Sequence, residues 1–296
     1  MELTRAALEA LFTGLNMSLN KGLTKSWTAY TTFANVTASS NAAEKYPIAI
    51  ITGSMRKWIG MRVLNRLSGK SMTIHNEDYE RTEAVRRNDI ADDNIGYYSG
   101  LFEAMGIDAG NLWPVLATRA LAAAGKWADN AAFFSATRKI GKSTINNIVN
   151  DALSATSYET ARGQMMGFAG ADGNPIGLIP DHIMVGPTLE KTANRLFKSS
   201  LIAEDGVAVD NPHKDECKVL VNPFLIGDDA AKWFLLCTSR GIQAVTVQKR
   251  QEGALQRWDQ DHDVNVKNDN ENHYGLHYRG AAAATCPYVV IGGNLG

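Results

Sequence analysis

Two tripeptides carry the residue types of a phosphate-binding loop, Gly69-Lys70-Ser71 and Gly141-Lys142-Ser143. Such a loop also needs a glycine five positions earlier, so that backbone amides can wrap the phosphates, and Leu64 and Ala136 stand there. The two tripeptides therefore read as a hairpin tip and a loop. Asp259-Gln260-Asp261-His262-Asp263 begins like a calcium loop, but Val264 replaces its turn glycine and Asn270 its bidentate glutamate. A solvated charged loop is the plainer reading. His262, His273 and His277 lack zinc spacing, and no cysteine stands near them. Cys217, Cys237 and Cys286 lie far apart without a Cys-x-x-Cys pair and read as small core residues in a reducing compartment. There is neither a Gly-x-Ser-x-Gly elbow nor a His-Glu-x-x-His helix. The chain is expected to hold no cofactor or metal and not to be an enzyme.

The elements that would have to position a site point elsewhere. Tyr79 to Ala109 joins a charged, alternating β-ribbon to a long helix opening at Asp92-Asp93. The ribbon runs through Arg62–Arg66, turns at Ser68-Gly69, returns through Ser71–Ile74 and continues past Tyr79 to Asp89. A two-stranded ribbon is marginal in water without cover. Nothing adjacent in sequence supplies that cover, so a partner subunit is the economical candidate. Arg62, Arg66, Lys70, Arg81, Arg86 and Arg87 oppose Glu77, Asp78, Glu80, Glu83 and Asp89, a mixture suited to orienting a neighbour.

Other segments read as follows. Residues 1–13 form a helix ended by Gly14. From Asn16 to Ala43 the chain is poor in large aliphatics, with Trp27, Tyr30 and Phe33 spaced by three; it is either an arm on another surface or an extension docked on its own body. Ile95, Tyr98, Leu101, Phe102 and Met105 share a helix face. Gly106, Gly110 and Pro114 then disturb the helix, giving one long kinked helix or two nearly continuous ones that end at Gly125. Beyond Lys126, helices are expected over 144–153, 158–168 and 189–198. Strands are expected over 182–186, 218–221, 233–237 and 242–247, then a polar stretch from Gln248 to Asn272 and a final strand pair, 273–282 with 288–291.

The chain has 296 residues, 45% of them apolar and 21% charged, which suits one large domain or two modest ones. Thirty basic residues face thirty-one acidic ones, so a nucleic-acid gripping protein is not indicated. No apolar run is long enough for a membrane span, and the N-terminus lacks a signal-peptide pattern. A soluble protein made in the cytoplasm is expected. The pattern favours an assembly protein.

Several blocks then resemble the major head subunits of phage Mu and Mu-like prophages. These are Arg56-Lys57-Trp58-Ile59-Gly60-Met61-Arg62; Asn76 with Tyr79-Glu80, Val85, Arg87, Asp89-Ile90 and Asp92-Asp93; His182 to Pro187; Asn222-Pro223-Phe224-Leu225; Trp233-Phe234-Leu235; and Gln248-Lys249-Arg250. After Phe133-Phe134 the chain departs from the pattern, with Ser135-Ala136-Thr137-Arg138 where a His-containing loop is usual.

The resemblance implies an α+β architecture, the tailed-phage major capsid fold named after phage Hong Kong ninety-seven. It implies an N-terminal arm over 1–46, the start of a peripheral domain over 47–60 and an extended loop over 61–90. It further implies a peripheral domain with a spine helix over 91–153, an axial domain over 154–245 and a return to the peripheral domain over 246–296. Pentamers and hexamers of the chain would tile an icosahedral head around double-stranded DNA bound without sequence specificity. Scaffold, portal and a head-processing protease would be assembly partners, and the virion the destination. Trp27, Arg62, Arg66, Lys70, Glu80 and Arg87 are the expected intersubunit contacts. An encapsulin-like nanocompartment shell, and behind it an α/β enzyme, are the alternatives.

Overall fold

The computed structural model of the chain describes residues 5–47, 57, 71–86, 88–89, 92, 95–204, 207–258 and 271–295. Helix α1 spans Arg5–Leu23 and passes straight through Gly14, where a stop was expected. A glycine inside a helix costs about 0.5–1 kcal/mol. The stripe Leu8, Leu11, Leu15 and Leu19 is buried, and each such burial contributes about 1.5–3 kcal/mol. The stripe wins.

Helix α2, Ile95–Ala122, is one continuous element of 28 residues, about 42 Å long at 1.5 Å per residue. Its buried residues Phe102, Met105, Trp113, Ala117 and Leu121 recur at steps of three and four, or eight. Pro114 removes one amide donor, but the helix carries on because its buried stripe continues on both sides. Gly106, which looks like a breaker in isolation, is where α1 crosses. A Cβ there would lie 2.1 Å from Leu19 O, and one at Gly22 would lie 2.0 Å from Glu103 O. The two helix backbones touch through these glycines.

The chain then delivers its aromatic triplet into its own body. Phe33 is fully buried and Tyr30 buried. The half-buried Trp27 ring stands edge-on to Phe224 at 5.9 Å, and its backbone N–H donates to Asn111 Oδ1 at 2.9 Å. Of the two readings for the N-terminal segment, the docked extension is what the structure shows for residues 5–47.

The first sheet is built on β15 (Glu271–Ala284). One edge of β15 pairs antiparallel with β13 (Val245–Glu252) and with the short β14 (Gln256–Trp258). The other pairs with β4 (Glu77–Arg86) over ten positions, from Glu271↔Arg86 to Gly280↔Glu77. β1 (Ala34–Ala38) adds in parallel beside β13. Two expectations are corrected. The ribbon strand β4 is covered within its own chain, by a partner too far along the sequence for local reading to see. The stretch from Gln248 is not an irregular separator, since it continues β13 and supplies β14. Its buried polar residues Gln248 and Asn272 satisfy the pattern of a strand only once their partners are known. β3 (Ser71–His75) pairs with β2 (Ala43–Pro47), Lys45↔Thr73 at the centre, where Arg62–Arg66 was the expected partner; residues 62–66 lie outside the described residues. Phe102 and Trp113 of α2 meet Tyr274 and Tyr278 of β15 edge-to-face at 5.4 and 6.1 Å, fixing helix to sheet.

The second sheet has the order β11 (Lys218–Val221), β8 (His182–Val185), β12 (Trp233–Leu236), β16 (Val290–Gly293), β7 (Ile148–Val149). The expected final strand pair is therefore split, because β16 lies beside β12 here and β15 belongs to the first sheet. Helices α3 (Ala155–Met166) and α4 (Glu190–Lys198) pack on this sheet, Tyr158 and Phe197 meeting at 4.8 Å. Ser154 and Ser157 form a capping box at the start of α3. No helix forms over 144–153. Strands β5 (Arg138–Ile140), β6 (Ser143–Ile145) and β7 occupy 138–149, and the fully buried Asn147 side chain bonds Ser135 N, Phe133 O and Pro287 O, holding the backbone extended.

Candidate assembly surface

The residues that could have done chemistry are occupied structurally. Gly141 turns between β5 and β6 with φ of 55°, Lys142 N donates to Ala171 O, and Ser143 Oγ donates to Gly170 O at 2.7 Å. Gly69-Lys70 and the 259–270 stretch with His262 lie outside the described residues. His277 and His273 lie on β15, facing Asp78 at 3.0 Å and Glu271 at 3.7 Å respectively. Among the described residues no three His, Cys, Asp or Glu side chains converge to hold a metal. Burial pushes the Cys217 and Cys286 thiols up to about 11, far from the thiolate a nucleophile needs.

The ribbon's charges are spent mostly within the chain. Arg81 joins Glu83 at 2.8 Å and Asp108 of α2; Asp78 faces Arg279 at 3.4 Å; Arg86 reaches Glu271 at 4.0 Å. Such exposed pairs contribute about 0–1 kcal/mol each. Glu80 is exposed and accepts only from Thr82 Oγ1, at 2.8 Å, so its charge faces outward with no cation among the described residues. Arg62, Arg66, Lys70 and Arg87, with Trp58 of the resemblance box, lie outside the described residues.

What sequence reasoning missed is the anchor of the loop. Gln248, fully buried on β13, donates through Nε2 to Ile74 O at 3.1 Å and Asn76 Oδ1 at 2.7 Å, and its Oε1 accepts from Tyr46 OH at 3.1 Å. Asn76 in turn donates to Ser39 Oγ and Asn41 O, both at 2.8 Å. Glu44 accepts the Ser40 and Asn41 amides and the Ser39 hydroxyl, which hold its carboxyl below the usual range. β2 and β3, which flank residues 48–70 in sequence, are thus tied to the main sheet through Tyr46, Ile74 and Asn76. A second tie is Asn222, fully buried, whose Nδ2 donates to Thr118 Oγ1 of α2 at 2.8 Å and whose Oδ1 accepts from Phe224 N. The only sequence signal for either was that Asn76, Gln248 and Asn222 stand in the blocks that carry the resemblance.

A third tie fills the loop that departs from the family pattern. The buried Arg138 guanidinium bonds Asp129, Ala132 O and Phe133 O and lies 4.9 Å over the Trp127 ring. Trp127 donates to Thr285 O at 2.8 Å. Among the described residues these ties join the main sheet, α2 and the strands that flank residues 48–70.

The family model of the Mu-like prophage major head subunit gpT matches residues 8–150, 144–225 and 226–291. The chain belongs to this family. The head subunit is similar to the FluMu major head subunit of Haemophilus influenzae, at 25% identity over 74% of this chain and 97% of that one. It is also similar to the major capsid protein of Escherichia phage Mu, at 29% identity over 37% of this chain and 36% of that one. Among solved structures, the procapsid subunit of bacteriophage JBD30 superposes with a TM-score of 0.58 and 20% identity, covering 98% of this chain and 75% of that one. The head subunit therefore has the tailed-phage capsid fold, α+β as expected, and is a structural major capsid protein of a phage head rather than an enzyme. The family match separates it from a nanocompartment shell.

Proposed function

We propose that the head subunit self-assembles as pentamers and hexamers that tile an icosahedral shell around double-stranded DNA. The family match across nearly the whole chain carries this reading. A near-neutral chain, 30 basic against 31 acidic residues, suits a wall that must not trap the DNA it encloses. Scaffold, portal and a head-processing protease act during assembly; the subunit is made in the host cytoplasm and resides in the virion.

The division into an arm over 1–46, peripheral segments over 47–60, 91–153 and 246–296, an extended loop over 61–90 and an axial domain over 154–245 belongs to the same proposal. So do the contacts. Arg62, Arg66, Lys70 and Arg87 reach neighbours from or near the loop; Glu80 presents a carboxylate on β4 that meets no cation among the described residues; Trp27 offers the part of its ring left open beside Phe224. Purified full-length protein, with scaffold where needed, is expected to give shells, rings or tubes by electron microscopy. Removing residues 67–70 should leave a folded subunit that no longer closes shells. A strictly monomeric species under all assembly conditions would overturn the reading.

A further inference from the structure

Strand β4 (Glu77–Arg86) gives one edge to β15 along all ten positions and leaves its other edge bare. No other described strand pairs with it, and no backbone group of residues 77–86 bonds to a turn or loop among the described residues. A free edge of this length, about 33 Å at 3.3 Å per residue, is a template for another strand unless something guards it. Charge is the usual guard, and six of the ten residues are charged: Glu77, Asp78, Glu80, Arg81, Glu83 and Arg86. Their order, however, is self-complementary.

Residues facing one another across an antiparallel pair are of one kind, both hydrogen-bonded or both not, and the kind alternates along each strand. A strand that meets its own copy must therefore set one residue opposite itself. With Thr82 opposite Thr82, Arg81 faces Glu83, Asp78 faces Arg86 and Tyr79 faces Val85, each twice. Glu80 faces Ala84, and Arg86 of the second copy stands diagonal to it. Opposite charges, an aromatic with a β-branched residue, and Thr with Thr are the cross-strand pairs that stabilise a sheet, whereas like charges destabilise it. Centring on Arg81 would set Arg against Arg, and centring on Glu80 or Glu83 would set Glu against Glu. One register is selected. The faces agree with it: Asp78, Glu80, Thr82, Ala84 and Arg86 are exposed, while Tyr79, Arg81, Glu83 and Val85 are half-buried or buried on the side of α2.

We propose that β4 of one head subunit pairs antiparallel with β4 of a second copy across a two-fold axis, Thr82 beside Thr82, joining the two main sheets into one. This rests on the capsid reading and names one contact within it. Rings of five or six close through head-to-tail contacts, whereas a two-fold contact between rings needs a surface that complements itself. Backbone hydrogen bonds along the joined edges supply the attraction, and the charge order fixes the register. Arg81 and Asp78 already meet Glu83 and Arg279 of their own chain, but such exposed pairs are weak, so exchanging them across the axis costs little.

The test uses the full chain. Asp78→Arg alone sets Arg opposite Arg twice, and Arg86→Asp alone sets Asp opposite Asp twice. Each is expected to raise the half-assembly concentration by about tenfold. The variant with both changes, and an equimolar mixture of the two single variants, bring opposite charges together again and should assemble like the parent. Recovery in the mixture cannot come from repair within one chain. Single variants that assemble like the parent, or a mixture no better than its components, overturn the proposal. A second measurement does not depend on charge. Facing Cα atoms in an antiparallel pair lie about 4.5–5.5 Å apart, within disulfide range, and the three native cysteines are buried. Thr82→Cys should therefore give covalent dimers and nothing larger on mild oxidation of assembled material. Glu80→Cys, whose two sulfurs would stand about 13 Å apart along the strands, should give none. No dimer from Thr82→Cys, a ladder beyond dimers, or equal linkage by Glu80→Cys overturns it. A parent protein that forms no shells or rings would overturn the capsid reading instead, and oxidation of concentrated, unassembled Thr82→Cys subunits would still decide the strand contact.

Discussion

A single added methyl group should act in opposite directions at two glycines of the α1–α2 pair. A Cβ at Gly106 would stand 2.1 Å from Leu19 O, whereas ordinary contact begins near 3.4 Å, so the helices must part by about 1.3 Å. The obstacle is backbone, which cannot swing aside. A gap of about 0.5–1 Å forfeits roughly a quarter to a half of the dispersion energy across it, and the buried Leu15, Leu19, Phe102 and Met105 line this region. Overpacking of this kind costs about 1–3 kcal/mol. Alanine recovers about 0.5–1 kcal/mol of helix propensity, leaving Gly106→Ala destabilised by about 1.3 kcal/mol at the middle of both ranges. At roughly 2–4 °C per kcal/mol, the melting temperature should fall by about 3–5 °C. Gly14 of α1 has nothing within 4 Å of its virtual Cβ, so Gly14→Ala should stabilise by about 0.5–1 kcal/mol. Urea unfolding of unassembled subunits, followed by tryptophan fluorescence, reads both. Equal signs for the two variants, or a Gly106→Ala subunit as stable as the parent, would refute the backbone-contact argument.

Three further outcomes are expected. Gln248→Leu leaves Ile74 O, Asn76 and Tyr46 without their buried partner; it should cost about 1–3 kcal/mol and speed amide exchange in residues 71–76, and unchanged exchange there would show that the clamp does not hold the loop root. Glu44 has a depressed carboxyl pKa in the folded state, so its support of the Ser39–Asn41 turn is present above the ordinary value of 4.5 and is lost as pH falls through the folded value. The stability difference between the parent and Glu44→Gln should therefore vanish on acidification, and a difference constant with pH would contradict this. With Cys217, Cys237 and Cys286 all buried, and with the Cys217 and Cys286 thiols pushed up to about 11, native subunits at pH 8 should react with a thiol reagent only after urea is added; a rapid stoichiometric reaction in buffer would contradict it.

Much of the α-helical half was legible because helix signals are local. The apolar steps from Ile95 to Met105 and the strand-turn-helix of 182–198 each lie within a short window, and the structure has both; the helix expected over 158–168 instead opens at Ala155 behind Ser154. Glycine was ambiguous by nature. Gly14, Gly106 and Gly110 look alike in sequence, and only the approach of a second backbone separates a tolerated glycine from a required one. Sheet partners were illegible for a related reason. β4 presents an alternating charged strand whichever chain covers it, and β15, far along the sequence, supplies ten ladder positions that no nearby residue announces. The ribbon therefore looked in need of a neighbour when most of its described length is paired at home.

The sequence by itself determined the class of molecule: residues spaced for no known reaction, balanced charge, and ordered blocks shared with phage head subunits. The tertiary structure decided which appendages are sheltered. It seats Trp27, Tyr30 and Phe33 in their own body and clamps Tyr46 and Asn76 to Gln248. Composition and periodicity report what each segment could bury, whereas pairing between distant segments depends on where the folded chain brings their edges together.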